Sequence, residues 1–536
     1  MGVILFKKLL LFSIIIALTL LTVTGVSAQD NETVIMSENN EPILSISSEV
    51  NADPHSFTGL QKQIENANSK STLYLSGTYK YNKNTDSSLK DGVVVDKDLK
   101  IVGKNKCTID GSGLARCLNI KKGSTVTLEN IKIKNGFSTS GGGGIKIGSH
   151  CKVTIKKCEF SNNVAYNSNG GAILSGDSCT IKIYSSVFKK NKATHLNKAN
   201  GNLKKRGMGA AIKTNINTNL YIYDSSFKQN TAYLSIILVV SKSDSVRQTS
   251  YLYINNCLFT YNKAKQCGVI YLDEYGKCTI MNSVFSSNTS PDNAGILVLD
   301  SSLSATIKNC RFYKNRGYKG GAISIKIFAK KDLAKVKIIK CRFTKNYASV
   351  YGGAIYSVGG AMTVRNCKFT SNRASIFGGA IYARLGTLKL SSSKFSKNKA
   401  NYAGALCLAC KKSTTKYCSI TKNKAYYLYG AYYSIKHNKL SKCHVKSNKI
   451  YNYTKIYLYK SGKYIKVKVT DNKDKTIKKQ VRLIFKGSKK IKTKYYKSSD
   501  KKYKKIKIPK SVKGTYKVTM KVKKAKYFSK SIIIRV

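Results

Sequence analysis

The sequence predicts an all-β chain, a parallel β-solenoid followed by a small antiparallel sandwich. Three observations predict it: a repeat with 26 residues between matching letters, columns of one residue type within that repeat, and longer alternating runs after Asn452. The clearest copy begins at Asn346 and continues through Gly352-Gly353-Ala354-Ile355-Tyr356, Val364, Cys367, Phe369 and Asn372. The next reads Gly378-Gly379-Ala380-Ile381-Tyr382, Leu390, Ser393, Phe395 and Asn398. These residues are structural types, so the repeat builds coils and carries no catalytic signature.

Extended both ways, the register puts asparagine at 163, 191, 230, 262, 288, 315, 346, 372, 398, 423 and 448. Three residues earlier stand Phe160, Phe188, Phe227, Phe259, Phe285, Phe312, Phe343, Phe369 and Phe395, then Ile420 and Val445, so one column takes nine of the chain's 17 phenylalanines. Five before each asparagine is Cys or Ser, from Cys158 and Ser186 to Cys418 and Cys443. Eight before is an apolar residue such as Ile155 or Ile183, with Thr415 the exception. Such columns require units stacked so that equivalent residues touch. Val153 and Ile155 share one parity and Cys158 and Phe160 the other; since side chains alternate along a strand, that slip marks a corner. Asparagine, tolerant of left-handed backbone, is expected at the next corner, and the paired glycines at another.

Lys plus Arg outnumber Asp plus Glu by 96 to 25, a net charge of +71, with no Trp, four Pro and 36 Tyr. Residues 1–28 read as a secretory signal peptide: Lys7 and Lys8, an apolar run from Leu9 to Val23, and a Val26-Ser27-Ala28 cleavage site. Residues 29–55 carry six acids and no Lys or Arg, the composition of a mobile linker. Phe57, Leu60, Ile64 and Ala67 fall at helical spacing, with Thr58 and Gln61 placed for a capping box, so a short helix is expected to close the first coil of a β-helix spanning 56–452. The insert from Lys192 to Met208 reads as a loop leaving the stack.

Residues 455–536 alternate differently: Ile465, Val467 and Val469; Val481, Leu483 and Phe485; Tyr516, Val518, Met520 and Val522; Ile532, Ile534 and Val536. About seven such runs suggest a sandwich of immunoglobulin-like type. Its 30 Lys plus Arg face only Asp471, Asp474 and Asp500. With no anchor read after Val536, this domain is expected to hold the protein to an anionic wall by charge.

The Gly-Gly-Ala-Ile and Phe-x-x-Asn columns resemble those of pectin-lyase-like right-handed β-helix proteins with polymorphic-outer-membrane-protein-type repeats. The whole plan, a signal peptide, a right-handed parallel β-helix and a small immunoglobulin-like β-sandwich rich in Lys and Tyr, resembles the adhesin-like surface proteins of methanogenic archaea. The resemblance implies a secreted or cell-surface location.

Candidate chemistry is sparse. The 15 cysteines read as buried free thiols, because stacked neighbours hold parallel side chains ill suited to a disulfide. Cys407 and Cys410 form a lone Cys-x-x-Cys, too little for a metal site, and His55, His150, His195, His437 and His444 make no cluster. Asp177, Asp273, Glu274 and Asp300 each follow the Ile position of their coil by a few residues, and Asp244 lies nearby. Asp273 and Asp300, on consecutive coils, are expected to approach within about 5 Å, the separation of a retaining carboxylate pair. Isolated turn carboxylates are the alternative meaning.

Lysines alternating with apolar residues read as outward faces whose sum attracts polyanions. Exposed tyrosines offer faces for sugar rings. Asn31, Asn288 and Asn452 begin sequons, Asn288 within the ladder. No nucleic-acid-binding module or cofactor motif is visible. The expectation is a non-enzymatic adhesin-like protein binding an anionic polysaccharide or cell-wall polymer, without specific nucleic acid and without a transmembrane segment in the mature chain. The alternative is a polysaccharide lyase or glycoside hydrolase acting through Asp273, Glu274 and Asp300.

Overall fold

Short runs of aliphatic residues, three to five long and broken by turn residues, can satisfy their backbone only by pairing with the equivalent run of the next repeat. The computed structural model shows this pairing throughout. It describes residues 53–535 apart from 195–206, 242–248, 274, 301–303, 328–334, 429, 435–437, 451–454 and several stretches between 471 and 528. The signal-peptide and linker readings therefore fall almost entirely outside the described residues.

Four parallel sheets run the length of the stack. An Ile sheet has 14 strands, from Thr72–Leu75 to Asn438–Ser441, and a Phe sheet has 14, from Thr78–Lys80 to His444–Lys446. A corner sheet has 12 short strands, from Phe137–Ser138 to Lys449–Ile450, and a Gly-Ala sheet has 13, from Val93–Val95 to Tyr432–Ser434. One coil visits them in that order, as Lys152–Lys156, Glu159–Ser161, Val164–Ala165 and Ile173–Ser175. Adjacent coils pair in exact register, Phe343 to Phe369 to Phe395.

The phenylalanine column is a buried stack, as its spacing predicts. Consecutive rings from Phe160 to Phe395 lie 4.6 to 5.0 Å apart within 14° of parallel. Each ring removed from water is worth about 1.5 to 3 kcal/mol, and each lies against the next. The asparagine column is a continuous ladder. The side-chain Oδ1 of Asn372 accepts both the backbone N–H (3.0 Å) and Nδ2 (3.0 Å) of Asn346, while its own Nδ2 donates to Phe343 O (2.9 Å) and Asn398 Oδ1 (3.0 Å). Every donor and acceptor of a fully buried amide is thereby used, which is why no other residue type can replace it without an orphaned group. Asn288 is one rung, with Nδ2 committed to Phe259 O and Asn315 Oδ1, so the folded chain offers no glycan acceptor there.

The left-handed residue at this corner is not the ladder asparagine but the one before it: Lys345 (φ 56°), Ser371 (φ 56°), Lys397 (φ 57°) and Lys422 (φ 56°). A second left-handed column, including Lys340, Asn366 and Ser392, precedes Cys341, Cys367 and Ser393 and produces the predicted parity slip. Cys and Ser interchange in that column because they bond alike. Ser393 Oγ accepts from Cys367 N (3.1 Å) and donates to Ser391 O (2.8 Å), while Cys367 Sγ accepts from Cys341 N (3.4 Å) and donates to Arg365 O (3.3 Å). Of the glycine pair, Gly352 supplies a positive φ of 63°, and a Cβ on Gly353 would collide with the carbonyl of Gly379 in the next coil. The first is required by backbone hand, the second by coil-to-coil contact.

Helix α1, Phe57–Asn66, closes the first coil, burying Phe57, Leu60 and Ile64 as the spacing predicts. Its cap differs from the expected Thr58 and Gln61. Ser56, in extended backbone, accepts from Gly59 N (3.0 Å); Thr58 lies inside the first turn and donates to Asp86 Oδ1 (2.6 Å), and Gln61 accepts from Val94 N (2.7 Å) in the coil below. After the solenoid, eight antiparallel strands from Lys455–Ser461 to Ser529–Arg535 form two sheets, with Leu458, Ile465, Leu483, Phe485, Ile506, Tyr516 and Val518 buried.

Candidate functional site

Because the ladder asparagine turns inward, the residues on either side of it line the outside of the corner. The position after it reads Val164, Lys192, Thr231, Lys263 and Thr289 in the earlier coils, then Arg316, Tyr347, Arg373, Lys399, Lys424 and Lys449. From Arg316 onward these pair residue to residue along the corner sheet. Tyr347 interrupts the cations, its ring lying 5.0 Å from the Arg316 guanidinium and 6.0 Å from that of Arg373. Beyond it, Arg373, Lys399, Lys424 and Lys449 follow one another on four consecutive coils.

The position before the asparagine adds Ser371, Lys397, Lys422 and Ser447, and between the two columns runs a groove of about 750 Å³ that Tyr426 also lines. A further outward column on the Phe sheet, Arg311, Arg342, Lys368 and Lys394, is exposed and in register. Like charges stacked at coil spacing repel by about 1 kcal/mol per pair even in bulk water, and more at a protein surface. Residues 333–452 contain 23 Lys plus Arg and no Asp or Glu to offset this. An anion in the groove removes the repulsion and gains attraction from every coil.

The geometry agrees with the comparison to known families, where a description of right-handed β-helix regions matches residues 67–351 and 327–491. The chain belongs to the right-handed β-helix family. No curated protein and no solved structure matches it significantly. The second matched segment runs past the last coil at Ile450 into the antiparallel strands. β-helix proteins include both surface proteins and enzymes acting on polysaccharides, so the fold alone assigns no chemistry.

Of the candidate carboxylates of this β-helix protein, Asp273 follows strand Ile270–Leu272 and accepts a hydrogen bond from Tyr271 OH (3.2 Å). Leu272 pairs with Leu299, so Asp273 and Asp300 are one step further along consecutive coils, and Asp300 pairs with Lys326 on its other side. The side chain of Asp300, Glu274 and Asp244 lie outside the described residues. Asp177 is three coils before Asp273, about 14 Å along the stack. It acts on Lys213, whose pKa burial lowers and the Asp177 charge raises, with burial the larger effect.

All 15 cysteines are unpaired and 13 are buried. Burial pushes Cys158, Cys257, Cys278, Cys407 and Cys410 up to about 12, which keeps them as thiols and poor nucleophiles. Among the described residues no group of three or more His, Cys, Asp or Glu is placed to hold a metal, and no helix is long and apolar enough to cross a membrane.

The tyrosines are arranged differently from the expected sugar-stacking platforms. Tyr184 stacks on Tyr223 (4.9 Å), Tyr351 on Tyr382 (4.9 Å) and Phe377 on Tyr402 (4.8 Å), so these rings turn their faces to neighbouring coils and leave their edges for other contacts. Sequence reasoning also missed the corner groove. Its signal was the residue after each ladder asparagine, which becomes cationic in every coil from Arg373 onward.

Proposed function

We propose that this β-helix protein is a secreted or cell-surface adhesin-like protein that is not an enzyme and that binds an anionic glycan or cell-wall polymer. The uninterrupted cation column Arg373, Lys399, Lys424 and Lys449, set along a groove in coils without a single acid, carries this reading. The resemblance to adhesin-like surface proteins of methanogenic archaea, the leader-like residues 1–28 and the basic, immunoglobulin-like reading of 455–536 support it.

Retention of the purified chain on immobilised polygalacturonate at low ionic strength, and release by molar salt as the screening length falls to about 3 Å, is the expected result. No new reducing or unsaturated ends should appear, with or without calcium. Passage through the column unretained refutes the reading. A lyase or hydrolase is the second reading, favoured by the register that sets Asp273 and Asp300 on neighbouring coils. Product release that disappears in Asp273→Asn with Asp300→Asn would establish it, whereas our reading expects that double variant to retain ligand unchanged.

A further inference from the structure

We infer that the corner groove takes a linear acidic glycan, with one carboxylate or sulfate on each sugar, lying along the stacking direction with successive acids set against successive coils. This rests on the polyanion reading above and names its ligand. The groove walls come from the coils of Asn372, Asn398, Asn423 and Asn448, so its long axis follows the stack and spans about 14 Å, three coil rises. Cations therefore recur at the coil rise, a spacing on the scale of one extended sugar unit. Ser371 and Ser447, one at each end of the groove, supply neutral hydroxyls suited to sugar hydroxyl groups. Tyr347, held between Arg316 and Arg373, closes the cation column on the early side.

A nucleic-acid strand fits less well. Its phosphates recur about every 3.4 Å along a stacked strand and fall out of step with the coils. Single-strand binders also present several aromatic faces to the bases, whereas Tyr426 is the one aromatic lining this groove.

The full chain is titrated with oligogalacturonates of increasing length at low salt. Affinity should climb steeply up to about four units, the number of coils in the groove, and then level off. Lys399→Gln with Lys424→Gln should weaken the longer oligomers at least about tenfold and lower the salt dependence by about two ions. Lys152→Gln with Lys182→Gln, which removes equal charge from the Ile-sheet face, should change affinity less than about twofold. Equal affinity for single-stranded DNA of matched charge, or affinity rising with length without a break and indifferent to the groove variant, overturns this inference and leaves the polyanion reading standing. Binding of no polyanion at low salt overturns both.

Discussion

Coils from residues 91–189 and coils from residues 333–452 use the same four-sheet plan, the same phenylalanine stack and the same asparagine ladder, yet face solvent differently. The earlier stretch has 15 Lys plus Arg against seven Asp plus Glu, and ion pairs join its coils: Lys100 with Glu129, Lys132 and Lys189 with Glu159, Lys134 with Asp110. The later stretch has 23 basic residues and no acid. Since the inward columns are shared and only the outward ones diverge, stability and surface chemistry are set by separate positions in the repeat. A solenoid allows this because strand alternation gives each face its own residues.

The strongest way to break that separation is inside. Phe188→Ala and Phe369→Ala should each cost about 3 to 5 kcal/mol through cavity formation, equally in both stretches despite their different surfaces. Chemical denaturation measures the cost, and hydrogen exchange should show the loss spreading to adjacent coils. A markedly larger penalty at Phe369 would mean that surface repulsion already weakens the later coils.

Thr415 offers a smaller test. It stands in the aliphatic column between Leu390 and Leu440, fully buried, and its Oγ1 has no hydrogen-bond partner. Thr415→Val should stabilise the later coils by about 1 kcal/mol, read as a rise in the denaturation midpoint. An unchanged or lower midpoint would show that the hydroxyl is satisfied in solution.

The smallest effect is acid sensitivity. Burial raises the pKa of Glu159, but Lys189, Ser161 and Lys132 outweigh it and hold the carboxyl below its ordinary range; Asp110 is lowered against burial by Lys134, Ser112 N–H and Asn135. A carboxylate depressed on folding contributes stability that is complete above its unfolded pKa, about 4, and is lost as pH falls through the folded value. Acidification below about pH 4 should therefore loosen the earlier coils by a fraction of a kcal/mol per pair and leave the later ones unaffected. Hydrogen exchange resolved by segment would show it, and equal loosening of both stretches would contradict it.

The inward half of the molecule was legible because its columns obey one rule in every coil: Phe160 to Phe395 stack and Asn163 to Asn448 bond, so type and spacing suffice. The outward half was harder. Lysines look alike in sequence wherever they occur, and only the register of Arg373, Lys399, Lys424 and Lys449 distinguishes a track from scattered surface charge. Corner chemistry misled in a specific way: asparagine suggests left-handed backbone, yet its buried amide is the reason it stands there, and the strained conformation falls on the preceding Lys345 or Ser371. The helix cap misled for a local reason, since Ser56 and Thr58 both suit the motif and the contact with Asp86 decides between them.

The constant 26-residue interval between Asn346, Asn372 and Asn398 has an evolutionary consequence. Excising or duplicating one such interval, wherever the cut falls within it, rejoins the chain with every column still in phase. Only the number of coils changes, by one rise of about 4.8 Å. Unequal recombination between neighbouring repeats can thus lengthen or shorten the rod, and with it the cationic track, in whole steps, without passing through an unfoldable intermediate.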